Sequence, residues 1–161
     1  MSQCAHPFSA AALVLEWHVL AMFAPSFFTG NLIRRLGALP VMWAGGALNL
    51  ACVVVAPSGT DLTQFLVALM ALGLGWNFLY VGGTALFTEA YRPHEKTTAQ
   101  AAMDTIVFAT MTVTSFASGA LVTTGGWTFM NIASLLPVLI LALALLWIAR
   151  VRRHAAAVST A

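Results

Sequence analysis

The sequence predicts an all-α integral membrane protein, a bundle of about five transmembrane helices, and three observations lead there. Hydrophobic residues fill 60% of its 161 positions and charged residues 7%, against about a quarter charged in soluble domains. A soluble fold of this length needs polar side chains over most of its outside, and seven Lys/Arg with five Asp/Glu cannot supply them. The charges are also bunched, leaving uncharged runs at 17–33, 36–60, 62–88 and 105–149, each near or beyond the ~20 residues that cross a bilayer as helix.

The first span is expected over 10–33. It lacks the charged start and cleavage site of a signal peptide and is long enough to anchor by itself. Gly37 can release it, and Pro40 opens the second span, 40–56, where a first-turn proline forfeits no hydrogen bond. Pro57-Ser58-Gly59 ends that span. The third, 62–88, begins at Asp61 with Gln64, and the fourth, 98–122, at Thr97 with Gln100. Both pairs have the spacing at which a cap side chain and the third helical residue satisfy each other's orphan donors. The run from Thr105 to Ala149 overshoots one bilayer about twofold as helix. Its polar, helix-breaking interruption is Thr123-Thr124-Gly125-Gly126, so a tight hairpin is expected there and a fifth span over 127–149.

Orientation follows from the basic residues. Arg34 and Arg35 lie between the first two spans, Arg92 and Lys96 between the third and fourth, and Arg150, Arg152 and Arg153 after the fifth. All seven fall on one side, so the inside-positive rule predicts a multi-pass protein of the cytoplasmic membrane with N-terminus out and C-terminus in. A formal charge of +2 spread over loops makes no phosphate-reading face, and nucleic acid is set aside as a partner. Cys4 and Cys52 suggest neither a disulfide frame nor a CxxC site. No period of 20–50 residues stands out, so one membrane domain over 1–161 is expected, with the lipid bilayer as its solvent.

Candidate functional groups are polar residues placed where lipid penalises them. Asn77 lies near the middle of the third span, with Thr84 and Thr88 at helical spacing on much the same face and Tyr80 between them. An amide at that depth needs a partner or water: the stripe either touches solute or bonds between helices. Trp76 is an aromatic wall of a cavity or a packed ring. In the first span His18, Met22, Pro25 and Thr29 share one face. Pro25 lacks an N–H and kinks the helix, freeing a carbonyl that only protein or water can satisfy. His18 exchanges a proton, contacts solute, or donates to a neighbouring carbonyl as a neutral ring. Asp104 and Glu89 lie near the basic loops, where they are expected to pair with Arg34, Arg35 or Arg92 or, for Asp104, to sit at a favourable helix N-terminus, as a gate on the inner side, as static pairing, or as a carboxylate that carries a proton. Gly45, Gly46, Gly73, Gly75, Gly82, Gly83 and Gly119 offer small surfaces for close backbone approach.

Enzyme chemistry finds little support. His6, His94 and His154 lie outside the spans, no HExxH or P-loop is present, and no carboxylates cluster for a metal. No cofactor is expected.

The stretch Gly30-Asn31-Leu32-Ile33-Arg34-Arg35-Leu36-Gly37 resembles the G-x-L-x-D-R-x-G loop of the major facilitator superfamily. Arg34 stands where that family usually carries Asp, while Arg35 and both glycines fit. Gly73-Leu74-Gly75-Trp76-Asn77 through Thr88-Glu89-Ala90-Tyr91-Arg92-Pro93-His94-Glu95-Lys96 looks like the fourth helix of a half and its basic exit loop. His18 to Gly30 resembles the corresponding helix in the C-terminal half of bacterial members. The resemblance implies a partial bundle, helices eight to twelve of twelve, with seven more ahead of Met1. It implies a secondary transporter that exposes a small solute alternately to each side, with proton or ion coupling left open. Asn77, Trp76, Tyr80, Thr84, His18 and Pro25 are then solute-path candidates, and Arg34, Arg35, Glu89, Arg92 and Asp104 gate candidates. A non-transporting scaffold or assembly subunit, or a non-functional truncated product, stays open beside it.

Overall fold

The computed structural model describes residues 8–59 and 61–159. Among these the chain is helical throughout: α1 (Phe8–Phe23), α2 (Ser26–Leu36), α3 (Ala38–Val55), α4 (Leu62–Thr88), a single 3-10 turn at Pro93–Glu95, α5 (Lys96–Ala133) and α6 (Leu135–Ser159). By length and composition α3, α4 and the stretches Pro93–Gly126 and Phe129–His154 can each cross a membrane. Ser9–Phe23 and Ser26–Leu36 make a fifth crossing if taken together, bent by 41° at the break between them.

The first span expected over 10–33 is therefore two helices rather than one rod. Pro25 cannot donate to the turn before it, so α1 stops at Phe23 and α2 restarts at Ser26. The backbone N–H groups of Phe28 and Thr29 bond to the Pro25 carbonyl at 2.8 and 2.9 Å and rebuild the ladder beyond the break. Gly37 ends α2 with φ 89° and ψ 161°, a conformation that a Cβ disfavours, and its N–H bonds to Ile33 at 2.8 Å. One residue thus separates α2 from α3.

Between α3 and α4 the expected capping pair does not form. Asp61 takes an extended backbone before α4 but makes no side-chain cap. Gln64 reaches instead across the turn and donates to the Val55 carbonyl at 2.9 Å, satisfying the end of α3 rather than the start of α4. Gln100 behaves alike: α5 starts at Lys96, before Thr97, and Gln100 donates to the Tyr91 hydroxyl at 2.7 Å.

Helix α4 is the centre of the bundle, packed between α1 and α3, and α3 in turn carries α6. Glycines permit two close approaches of backbone to backbone. A Cβ on Gly73 would lie 2.6 Å from the His18 carbonyl oxygen of α1, and one on Gly75 would lie 2.8 Å from the Gly45 carbonyl oxygen of α3. Two residues are about 200° of helix, so these glycines face opposite neighbours. The buried apolar set is small, with Val14, Val41, Met42, Phe65, Ala68 and Leu145 among its members. Large apolar side chains such as Phe27, Phe116 and Trp147 stay exposed, as lipid-facing residues do.

The turn expected at Thr123–Gly126 comes only at its last residue. Helix α5 runs through Thr123, Thr124 and Gly125 and breaks at Gly126, with φ 76°. The Thr123 and Thr124 hydroxyls each donate back to Ala120 at 2.9 and 2.8 Å, which keeps both residues compatible with helix. Beyond the break the chain doubles back, and Thr114, Ser118 and Leu121 face Met130, Ala133 and Pro137 across a groove of about 280 Å³. The crossing part of α5 is otherwise bare: none of its most apolar stretch is buried. Gly119 has no neighbour within 4 Å of where a Cβ would stand, so the close approach expected of it is not made.

Candidate functional site

The side chain of Asn77 is buried, 1% exposed, midway along α4 where α1 gives way to α2. Its amide nitrogen donates to the Met22 carbonyl at 2.7 Å and to the Ser26 hydroxyl at 2.6 Å. Its amide oxygen accepts from the Thr29 hydroxyl at 2.6 Å. The Met22 carbonyl can only accept, which fixes which end of the amide faces it. Thr29 Oγ1 also lies 2.9 Å from the Pro25 carbonyl, so its one proton is shared between two acceptors. Asn77 thereby supplies a donor to the Met22 carbonyl beside the break between α1 and α2. Of the face read from the sequence, His18, Met22 and Thr29 all meet α4, and His18 Nδ1 sits 2.7 Å from the Leu69 carbonyl. Since that carbonyl cannot donate, Nδ1 carries the proton.

One residue before Asn77, Trp76 turns to another side. Its ring stacks on Tyr80, with centroids 4.9 Å apart and planes 6° from parallel. Phe23, the last residue of α1, presents its edge to Trp76 at 6.1 Å. Trp76 and Tyr80 are half-buried and Phe23 is exposed. The Tyr80 hydroxyl donates to Asp104 of α5 at 3.2 Å. Aromatic pairs at offset-stacked and edge-on geometry present flat, polarisable faces. Thr84 turns back to the Tyr80 carbonyl at 2.8 Å.

The candidate gate residues are brought only partly together. Glu89 pairs with Arg152 of α6, not with the expected Arg34, Arg35 or Arg92, because the ends of α4 and α6 meet at the basic end of the bundle. Asp104 bonds to Tyr80 in place of an arginine. Among the described residues no carboxylate lies within ion-pair distance of Arg34, Arg35 or Arg92. The Arg92 backbone N–H donates to Glu95 at 3.0 Å. Arg35 borders a groove of about 390 Å³ that reaches Pro25 and Thr29 between α2 and α4.

Phe23, Ser26 and Arg152 were not among the candidates read from the sequence. Ser26 carries a signal, since it adjoins Pro25 and is one turn from Thr29. Phe23 and Arg152 carry none that composition or spacing could distinguish from lipid contact and membrane flank. Among the described residues no group of three or more His, Cys, Asp or Glu is placed to hold a metal.

The stretch that resembles the superfamily's loop forms the end of α2, with Arg34 and Arg35 in its last turn and Gly37 as the link to α3. The Major Facilitator Superfamily profile matches residues 5–161. The chain belongs to this superfamily. It is a multi-pass membrane protein of a family of transporters, not of enzymes. It is 44% identical to the riboflavin transporter RfnT of Brucella anthropi over 126 residues, 78% of this chain and 32% of that protein. It is 30% identical over 149 residues to the uncharacterized MFS-type transporter YddS of Bacillus subtilis, 91% of this chain and 34% of that one. Its identity to the uncharacterized MFS-type transporter YdeG of the same organism is 34% over 104 residues, 63% of this chain and 24% of that one. The chain thus spans about a quarter to a third of the length of these relatives. No solved structure matches.

Proposed function

We propose that this chain is a portion of a secondary active transporter that moves a planar heteroaromatic solute, of the riboflavin class, across the cytoplasmic membrane by alternating access. The stacked Trp76–Tyr80 pair carries the reading. A fused-ring solute gains most from flat aromatic faces, at about 1–3 kcal/mol per stacked ring, and Phe23 supplies an edge beside them. The relative named as a riboflavin transporter supports that solute class.

In this reading the chain corresponds to helices eight to twelve of twelve, inserted with its N-terminus out and C-terminus in, and a further set of helices completes the site. Tyr80 and Trp76 touch solute, and Asp104 holds the Tyr80 hydroxyl. Asn77, Thr84, His18 and Pro25 shape the path from behind. Arg34, Arg35, Glu89 and Arg92 act at the inner end. The saturated hydrogen bonds of Asn77 also suit a scaffold that does not transport, so the test must separate the two.

The direct test measures riboflavin binding and uptake in proteoliposomes holding the chain alone, or co-expressed with whatever spans the DNA upstream of Met1 encodes. Trp76→Leu and Tyr80→Leu should each weaken binding roughly 5- to 150-fold, the equivalent of one lost stacking contact. Riboflavin affinity unchanged by both substitutions, in folded and assembled protein, removes the aromatic site and leaves the scaffold.

A further inference from the structure

We propose that the seam between α3 and α6 is a binding site for an anionic phospholipid, with its phosphate at Arg152 and Arg153 and an acyl chain in the apolar groove beyond Trp43. Two adjoining cavities carry the inference. The first, of about 430 Å³, lies where α3 begins and α6 ends, and is lined by Leu39, Pro40, Trp43, Ala149, Arg152 and Arg153. The second, of about 200 Å³, continues along the same two helices past Gly46, Ala47, Leu50, Leu141 and Leu145, with no charged residue on its walls. Trp43 lines both and so stands where the charged mouth joins the apolar slot. That is the position tryptophan favours at a membrane–water boundary.

The charge and the length both fit a lipid. Glu89 neutralises Arg152, but among the described residues no carboxylate lies within pairing distance of Arg153, and Arg150 beside them is exposed. The mouth is therefore net positive. A guanidinium fork matches a phosphate with two parallel hydrogen bonds, and basic pockets between transmembrane helices on one membrane face are a known setting for anionic headgroups. From Leu39 to Leu50 the seam runs about 16 Å along α3 at ~1.5 Å per residue, close to half the ~30 Å hydrocarbon thickness. One leaflet's acyl chain has that reach.

A soluble phosphate would use the mouth and leave the slot empty, and a neutral lipid would use the slot and ignore the mouth. Native mass spectrometry of the full chain, released from a neutral detergent and titrated with phosphatidylglycerol, phosphatidylcholine and glycerophosphate, distinguishes these. Phosphatidylglycerol should be retained over phosphatidylcholine. Arg153→Gln, which leaves the Arg152–Glu89 pair intact, should weaken phosphatidylglycerol retention about fivefold, the weight of one basic side chain at an anionic surface. Ala47→Phe should plug the slot and lower phosphatidylglycerol retention with Arg152 and Arg153 untouched, while circular dichroism reports unchanged helix content for both variants. Any of three results overturns the proposal: equal retention of the two lipids, phosphatidylglycerol retention indifferent to either substitution, or glycerophosphate competing as well as the lipid.

Discussion

A carboxamide in the middle of α4 must find hydrogen-bond partners within the protein, because lipid offers none. Asn77 finds three on the broken helix beside it, and so the residue most conspicuous in the sequence is the one that holds the proline break in place. Asn77→Leu should cost about 1–3 kcal/mol of stability, the penalty for a buried polar group left without its partner, measured as a lowered unfolding midpoint in detergent. Thr29→Val should cost less, since the Asn77 nitrogen keeps both of its acceptors. Cysteine scanning gives a second check: Trp76→Cys and Tyr80→Cys should react with a small hydrophilic thiol reagent in assembled protein, whereas Asn77→Cys should stay inert. Reaction at Asn77→Cys in folded protein would return the residue to the solute path. That an amide at this depth needs partners is legible from position alone. Their identity is not, because the Met22 carbonyl is a backbone atom that no side-chain pattern marks. The Glu89 partner Arg152 is likewise 63 positions away, beyond any local spacing rule.

At the scale of the element, glycines separate packed from unpacked helices. Gly45 and Gly75 stand so close that a Cβ on either would come 2.8 Å from the carbonyl oxygen of the other, whereas Gly119 on α5 faces open space. Gly45→Ala should therefore destabilise the α3–α4 pair by about 1–3 kcal/mol, the cost of overpacking. Gly119→Ala should be neutral or stabilise by about 0.5–1 kcal/mol through helix propensity. Matching losses at both sites in thermal unfolding would contradict the packing described. In the sequence these glycines look alike, because a small residue in a transmembrane helix is compatible with contact and with lipid. Span edges set by Gly37 and Pro57 were legible, as each acts on its own backbone. The capping pairs failed because Gln64 and Gln100 found partners across a turn, a tertiary choice that local spacing does not record. The late break at Gly126 has the same kind of cause: threonine hydroxyls folded back on Ala120 carry the helix past residues that read as a turn.

For the whole molecule the burial is uneven, dense around α4 and thin on α5. The basic residues gather at one end, where the start of α3 meets Arg152 and Arg153 and Glu89 meets Arg152. In a background lacking Cys4 and Cys52, Gly59→Cys and Gly125→Cys should label from outside intact cells with an impermeant thiol reagent, and His94→Cys should not. Labelling of His94→Cys alone would reverse the orientation. The bare flank of α5 has a further consequence. The hydroxyls of Thr105, Thr112, Thr114, Ser118, Thr123 and Thr124 all donate to carbonyls of their own helix, so along most of its length α5 asks no neighbour for a hydrogen bond. Among the described residues the Tyr80–Asp104 bond is the side-chain hydrogen bond that joins its crossing part to α4, and it sits near one end. Toward α4, α5 is an axle held by one set screw. Asp104→Ala should loosen its azimuth about its own axis without unwinding it, and a spin label at the exposed Phe116 would register that as a broadened range of orientations in aligned bilayers at unchanged helix content.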